Sequence, residues 1–262
     1  MAFRQSFKTL LLAGGLAATL VSCKKDKDDD DTGTPAALHI KEYQNGEDFA
    51  RFRYNAAGKV DQVTIAPDPG SGEPPLVYAV TYAGGKVDKL TNGEQEFRAV
   101  YENGKLDRVD IYVGEDKTFF TNYDYTGDAL TRATSYALEG DDFMLFRQFD
   151  FAVNAAGNIT ETVALVNMGE PNLLRRSGHV EFQYDQKPNP LFEHRDLLAM
   201  LWQGVSKNNP TREDHFDAQL DPEDRFVYAY TYNAQGFPIS AVVTQGLPGQ
   251  PVVNSNLTIT YQ

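Results

Sequence analysis

The sequence predicts an all-β protein: a long antiparallel meander of tandem hairpin repeats forming a strongly curved sheet or open barrel, with one short helix near residues 195–203. Three observations carry this expectation. Apolar and polar residues alternate at a period of two over much of the chain, as in strands with one buried face. The alternating runs end repeatedly in Tyr or Phe followed by Asn or Asp, small residues and a Gly, which is the chemistry of hairpin turns. The one stretch that abandons the alternation, 191–204, has helical spacing of its apolar residues and a Gly to end it.

Taken in chain order, residues 1–22 have the parts of a secretory signal: Arg4 and Lys8, an apolar run from Thr9 to Leu20, and the small-residue approach Val21-Ser22. The run is too short to cross a bilayer, which takes about 20 apolar residues. Leu20-Val21-Ser22-Cys23 resembles a bacterial lipobox, so Cys23, the single cysteine of the 262 residues, is expected to be the lipid attachment site and the mature N-terminus. Acyl chains contribute about 0.8 kcal/mol per buried CH₂, enough for several of them to fix the protein to a membrane. Lys24 to Asp31 is a dense charge run that buries no apolar area, so 23–35 reads as a solvated tether. An acidic run just after a lipidated Cys resembles the export signal of lipoproteins of Bacteroidota. That resemblance implies an outer-membrane, lipid-anchored protein facing the cell exterior, with the periplasmic face as the alternative.

Residues 36–262 read as a single β-repeat domain. The fullest copies of the repeat are Phe52 to Val63, Phe149 to Ile159 and Tyr228 to Ile239. Shorter relatives begin at Val80, Val100 and Tyr123, and a seventh starts at Val180 and departs into Lys187-Pro188-Asn189-Pro190. Each copy is strand, turn, strand, with Phe52 and Tyr54, or Tyr228, Tyr230 and Tyr232, on one face. The segment 187–224 stands apart as a non-repeat insertion, and Leu257 to Tyr261 is the expected last strand. A meander of this length must twist and curl. The helical stretch would then plug the opening of the rolled sheet or cap one of its faces.

The pattern Tyr-Asn/Asp-x-x-Gly-Lys/Asn-hydrophobic resembles the YD-type repeat of Rhs-like bacterial surface proteins. Lipobox, acidic tether and about seven hairpins together are similar to small uncharacterised lipoproteins of Bacteroidota, over nearly the whole chain. In those, one repeat runs into a Lys-Pro-Asn-Pro segment, a short helix and a Ser-x-Asn-Asn stretch, matched here by 187–190, 195–202 and 206–209. The resemblance implies no defined activity.

Chemistry is sparse. The four histidines lack the close spacing of a zinc site, and no cofactor is expected. His194, His215, Asp196, Glu213 and Asp214 are the one local grouping of His and carboxylates. No Gly-x-Ser-x-Gly, P-loop or dinucleotide fingerprint is present. The acidic turns at 139–142 and 221–224 read as solvated, and the sequons at Asn158 and Asn256 carry no weight in a bacterial lipoprotein. A net charge of −13 argues against a nucleic-acid partner, because phosphate binding needs clustered cations. Trp202, Asn208 and Asn209 suit sugar binding, through stacking and amide hydrogen bonds. The expectation is therefore a non-catalytic binding or scaffolding module with a glycan or protein ligand. The alternatives are an accessory subunit of an outer-membrane complex, offering an apolar patch or an unpaired sheet edge, or a hydrolase.

Overall fold

The computed structural model describes residues 38–67, 72–169 and 173–262. The signal 1–22, the tether 23–35 and the lipid attachment site Cys23 lie outside the described residues. Sixteen antiparallel strands follow one another around a closed barrel. The first eight are β1 Ile40–Asn45, β2 Asp48–Tyr54, β3 Val60–Ile65, β4 Leu76–Ala83, β5 Lys86–Thr91, β6 Gln95–Glu102, β7 Lys105–Val113 and β8 Asp116–Thr126. The second eight are β9 Ala129–Glu139, β10 Asp142–Val153, β11 Ile159–Asn167, β12 Leu174–Pro188, β13 Asn208–Phe216, β14 Pro222–Tyr232, β15 Pro238–Gln245 and β16 Val253–Tyr261. The sheet does not stay open: β1 pairs with β16, with Tyr43 opposite Ile259 and Asn45 opposite Leu257. Closure removes the unpaired edge that a curved meander would leave.

The three fullest repeats build the same turn. Asn55 Oδ1 accepts from the backbone of Ala57 (2.9 Å) and Lys59 (3.2 Å), while the Asn55 carbonyl accepts from Gly58 (3.0 Å). Asn154 with Gly157, and Asn233 with Gly236, repeat the pattern. Gly58 has φ +72°, a left-handed conformation open to glycine at no steric cost, and the ladder shifts register beside it between Arg53 and Tyr54. The lysine after the turn glycine has its own task. Lys59, Lys86 and Lys105 each hold their ammonium over the tyrosine of the next repeat, Tyr82, Tyr101 and Tyr125, at 4.9, 4.5 and 5.5 Å. Lys86 also donates to the Gly104 carbonyl (2.6 Å), and Lys105 to that of Gly127. The repeat is thus a set of turns stapled to their neighbours around one rim of the barrel.

Alternation along the strands puts Phe52, Val63, Leu90, Phe97, Val109 and Leu257 inside, all nearly inaccessible. Many outward positions are charged and paired across strands, Arg51 with Glu42 (2.5 Å), Arg53 with Asp61 (2.7 Å), Lys89 with Glu96 (2.9 Å) and Arg132 with Asp150 (2.6 Å), with Val77, Val227 and Val242 exposed among them. A barrel that spans a bilayer needs the reverse, an apolar outer band about 25 Å tall. The charged pairs interrupt any such band here. Among the described residues no helix is long and apolar enough to cross a membrane.

An eight-stranded barrel has an interior that side chains alone can fill, whereas sixteen strands enclose far more space. The insertion between β12 and β13 supplies the filling. Of the segment 187–224, residues 187–188, 208–216 and 222–224 belong to wall strands and 217–221 to the connection between two of them, which leaves 189–207 as the excursion. It forms a 3-10 turn, Pro190–His194, and a short helix α1, Arg195–Met200. Leu191, Leu197, Leu198, Met200 and Leu201 are buried in the same core as the inward strand residues. The helix is a plug inside the barrel, not a cap on an outer face.

Candidate functional site in the plugged lumen

The plug enters at the rim that carries the repeat turns. Asn189 Oδ1 accepts from Leu191 N (2.9 Å) and starts the 3-10 turn. His194 stacks on Phe52 (5.2 Å between centroids), and its Nε2 lies 2.8 Å from the Tyr54 hydroxyl. Farther in, the Tyr123 hydroxyl donates to the carbonyl of Ala199 (2.7 Å). The helix ends at Met200, earlier than Gly204, because Trp202 takes the left-handed conformation that glycine usually fills, with φ +60°. Trp202 N then donates to Ala199 O and Gln203 N to Leu198 O, both at 2.9 Å, satisfying two carbonyls of the last turn. Left-handed backbone costs a tryptophan about 1–2 kcal/mol, and its surroundings hold it there. The indole donates to Thr121 Oγ1 (3.2 Å), meets Phe97 edge to face (6.0 Å) and carries the Arg147 guanidinium over its ring (4.2 Å).

Arg147 is the functional candidate that sequence reasoning passed over. It is 4% exposed, and burial pulls its pKa down to about 10. The signal was present in Arg147, Phe149 and Phe151, a cation in step with aromatic residues on the inward face of β10.

The residues singled out for ligand binding are placed in two groups. Trp202 lies in the lumen as described, whereas Asn208 and Asn209 tie the returning chain to the wall. Asn209 Nδ2 donates to Asp185 Oδ2 (3.1 Å) and the Lys187 carbonyl (3.2 Å), and Asn208 Nδ2 to the same carbonyl (3.0 Å). Asn158 completes this knot. Its Oδ1 accepts from Lys207 N (2.8 Å) and Asn208 N (3.0 Å), and its Nδ2 donates to Asn208 Oδ1 (3.0 Å).

The His and carboxylate grouping separates into three. Asp214 is on the outer wall with Arg212 (2.6 Å) and Arg225. His194 and Glu193 (3.2 Å) sit at the plug's entrance, with Asp196 beside Arg195 on the helix. Glu213 and His215 (3.2 Å) point into the lumen, and Glu213 accepts from the Tyr228 hydroxyl (3.0 Å). Among the described residues no three His, Cys, Asp or Glu side chains converge to hold a metal.

The surroundings of Glu213 are tyrosine-rich. Tyr228 and Tyr230 stack at 5.9 Å, and their hydroxyls, like that of Tyr43, are held well above the usual phenol pKa by burial first and by the nearby Glu213 charge second or third. The opposite rim, away from the repeat turns, has its own character. Its loops carry Glu47, Glu94, Glu115, Asp141, Asp217 and Asp221, and no Lys, Arg or His among the described residues. Val113, Leu138, Phe143, Met168 and Val252 are exposed there. On the adjoining wall Phe120 stacks on Tyr136 (4.6 Å) with the Lys117 ammonium above it (4.7 Å).

Neither a protein-family model nor a curated protein sequence matches the chain. Solved structures do. A porin-like protein from Bacteroides uniformis superposes with a TM-score of 0.55 at 13% identity, over 85% of this chain and 95% of its own. A porin-like protein from Bacteroides vulgatus gives a TM-score of 0.55 at 15% identity, over 86% of this chain and 99% of its own. At such identities the likeness is one of fold: the chain shares an antiparallel barrel with these two porin-like proteins.

Proposed function

We propose that this chain is a lipid-anchored outer-membrane lipoprotein whose barrel stands in water on a tether, a non-catalytic binding or scaffolding module rather than a pore. The observation that carries this is the polarity of the barrel. Charged ladders occupy the outside and a continuous apolar core with a helical plug occupies the inside, so the wall suits water and the lumen is stoppered. The lipobox at Cys23 supplies the membrane attachment that the wall itself does not. The start of β1 and the end of β16 share the rim of the repeat turns, which sets the acidic, apolar-studded rim at the far end from the tether. That rim and the lumen behind it are where a glycan or protein ligand would be met.

A second reading, an accessory subunit of an outer-membrane complex, is favoured by the exposed Val113, Leu138, Phe143 and Met168 on the same rim. Sheet-edge pairing is no longer part of that reading, because the barrel is closed.

The test is reconstitution. Protein carrying Cys23→Ser is expected to purify without detergent and to leave dye-loaded liposomes sealed. Detergent-dependent solubility together with dye release would overturn the proposal.

A further inference from the structure

The plug does not fill the barrel evenly. Inward residues of β2 to β7, such as Phe52, Val63, Leu90 and Val109, are sealed. On the opposite wall Phe149, Val180, Tyr184, Phe226, Tyr228 and Tyr230 point inward and retain accessible surface, whereas Arg147, Thr162, Phe182 and Glu213 among them are buried. This side of the lumen is therefore less tightly filled than the β2–β7 side. Glu213, itself 2% exposed, points to this side of the lumen and is covered there by Tyr228 and His215. Its neighbours are a phenol and an imidazole rather than a lysine or arginine. A carboxylate withdrawn from water calls for a cation, and aromatic faces around it add attraction for one.

Two further groups ask for hydrogen-bond donors. Thr162 on β11 is 6% exposed, and its Oγ1 has no partner. It stands opposite Val180, which in turn stands opposite His215. Gln203, next to Trp202 on the plug, has a buried Oε1 that also lacks one. Arg147 is engaged on Trp202, and its charge is felt by Tyr123 rather than by the tyrosines around Glu213. The loops of the far rim, all acidic where charged, raise the local concentration of cations at that mouth.

From this geometry we infer that the lumen between the plug and β10–β14 binds a small organic ammonium ion, with Glu213 as its counter-charge, Tyr228 and Tyr230 as its aromatic walls and Thr162 as an acceptor for its N–H. This rests on the barrel being a ligand-binding module and names the ligand class.

Trp202, the single tryptophan of the chain, lies in the same lumen and serves as the reporter. The experiment titrates the mature lipidated protein, in a neutral detergent, with benzylammonium and with benzyl alcohol as its uncharged counterpart. Benzylammonium is expected to change the Trp202 emission saturably and benzyl alcohol to leave it unchanged. Glu213→Gln should weaken binding at least tenfold, and Thr162→Val, which keeps shape and removes an orphaned hydroxyl, about threefold. No saturable change up to about 10 mM, an equal response to benzyl alcohol, or unchanged affinity in the variants would overturn the inference. Should Glu213→Gln fail to fold, Thr162→Val decides. The liposome measurement is separate, so a sealed, detergent-free barrel that ignores benzylammonium refutes the ligand class and leaves the binding-module reading standing.

Discussion

Replacing Asn158 by Ala tests whether the plug is held in place by one side chain. In the folded barrel Asn158 is 3% exposed, and its amide makes three hydrogen bonds to the segment that leads out of the plug. Truncation leaves the N–H groups of Lys207 and Asn208 without acceptors. An orphaned buried donor costs about 1–3 kcal/mol, and because this site is partly accessible the low end applies to each, giving about 3 kcal/mol with the third bond included. A domain of this size loses roughly 2–4 °C of Tm per kcal/mol, so the expected fall is about 6–12 °C. Far-UV circular dichroism measures the transition, and Trp202 emission shows whether the plug loosens with it. A fall of less than about 2 °C would refute the reasoning, since the three bonds would then contribute nothing net.

Other expectations follow from the same contacts. Tyr123→Phe removes the donor to the buried Ala199 carbonyl and should cost about 1–2 kcal/mol, read as a lower denaturant midpoint at unchanged slope. Lys105→Met should cost no more than about 1 kcal/mol, because its contacts to Tyr125 and Gly127 lie at an exposed rim; thermal unfolding checks this. Burial raises the pKa of Tyr54, Tyr123, Tyr228 and Tyr261 above the phenol value of 10.0. A raised folded-state pKa means stability that is fully present below pH 10.0 and lost as pH climbs beyond it, so the barrel should unfold in alkali. Absorbance at the phenolate band is then expected to rise together with loss of the β signal, and full tyrosine ionisation within an intact barrel would contradict the assignment.

Much of the fold was legible because the repeat writes it out locally. Tyr54-Asn55-Ala56-Ala57-Gly58-Lys59 names a strand end, an Asn-capped turn, a left-handed glycine and a restart, and each is realised by contacts within a few residues. Closure was not legible, because the pairing of Tyr43 with Ile259 joins opposite ends of the chain through backbone atoms that every sequence has. The plug was half legible: helical spacing marked it, but whether it lay inside or outside depended on how wide a cylinder sixteen strands would form. At the site, Trp202 stood out by type. Asn158 looked like a sequon of no consequence, and only its position 50 residues from Asn208 in sequence, yet bonded to it in space, gives it a role.

The junction of β1 with β16 also bears on how the molecule is made. Fifteen of its neighbouring strand pairs join segments close in sequence and can form as the chain lengthens, whereas the last seam closes a loop of more than two hundred residues. Such a closure is entropically costly and comes late. Until β16 arrives, the nascent sheet has two raw edges and an interior open to water, which makes an unfinished copy adhesive. The final strand acts as the latch that turns an open ribbon into a sealed vessel.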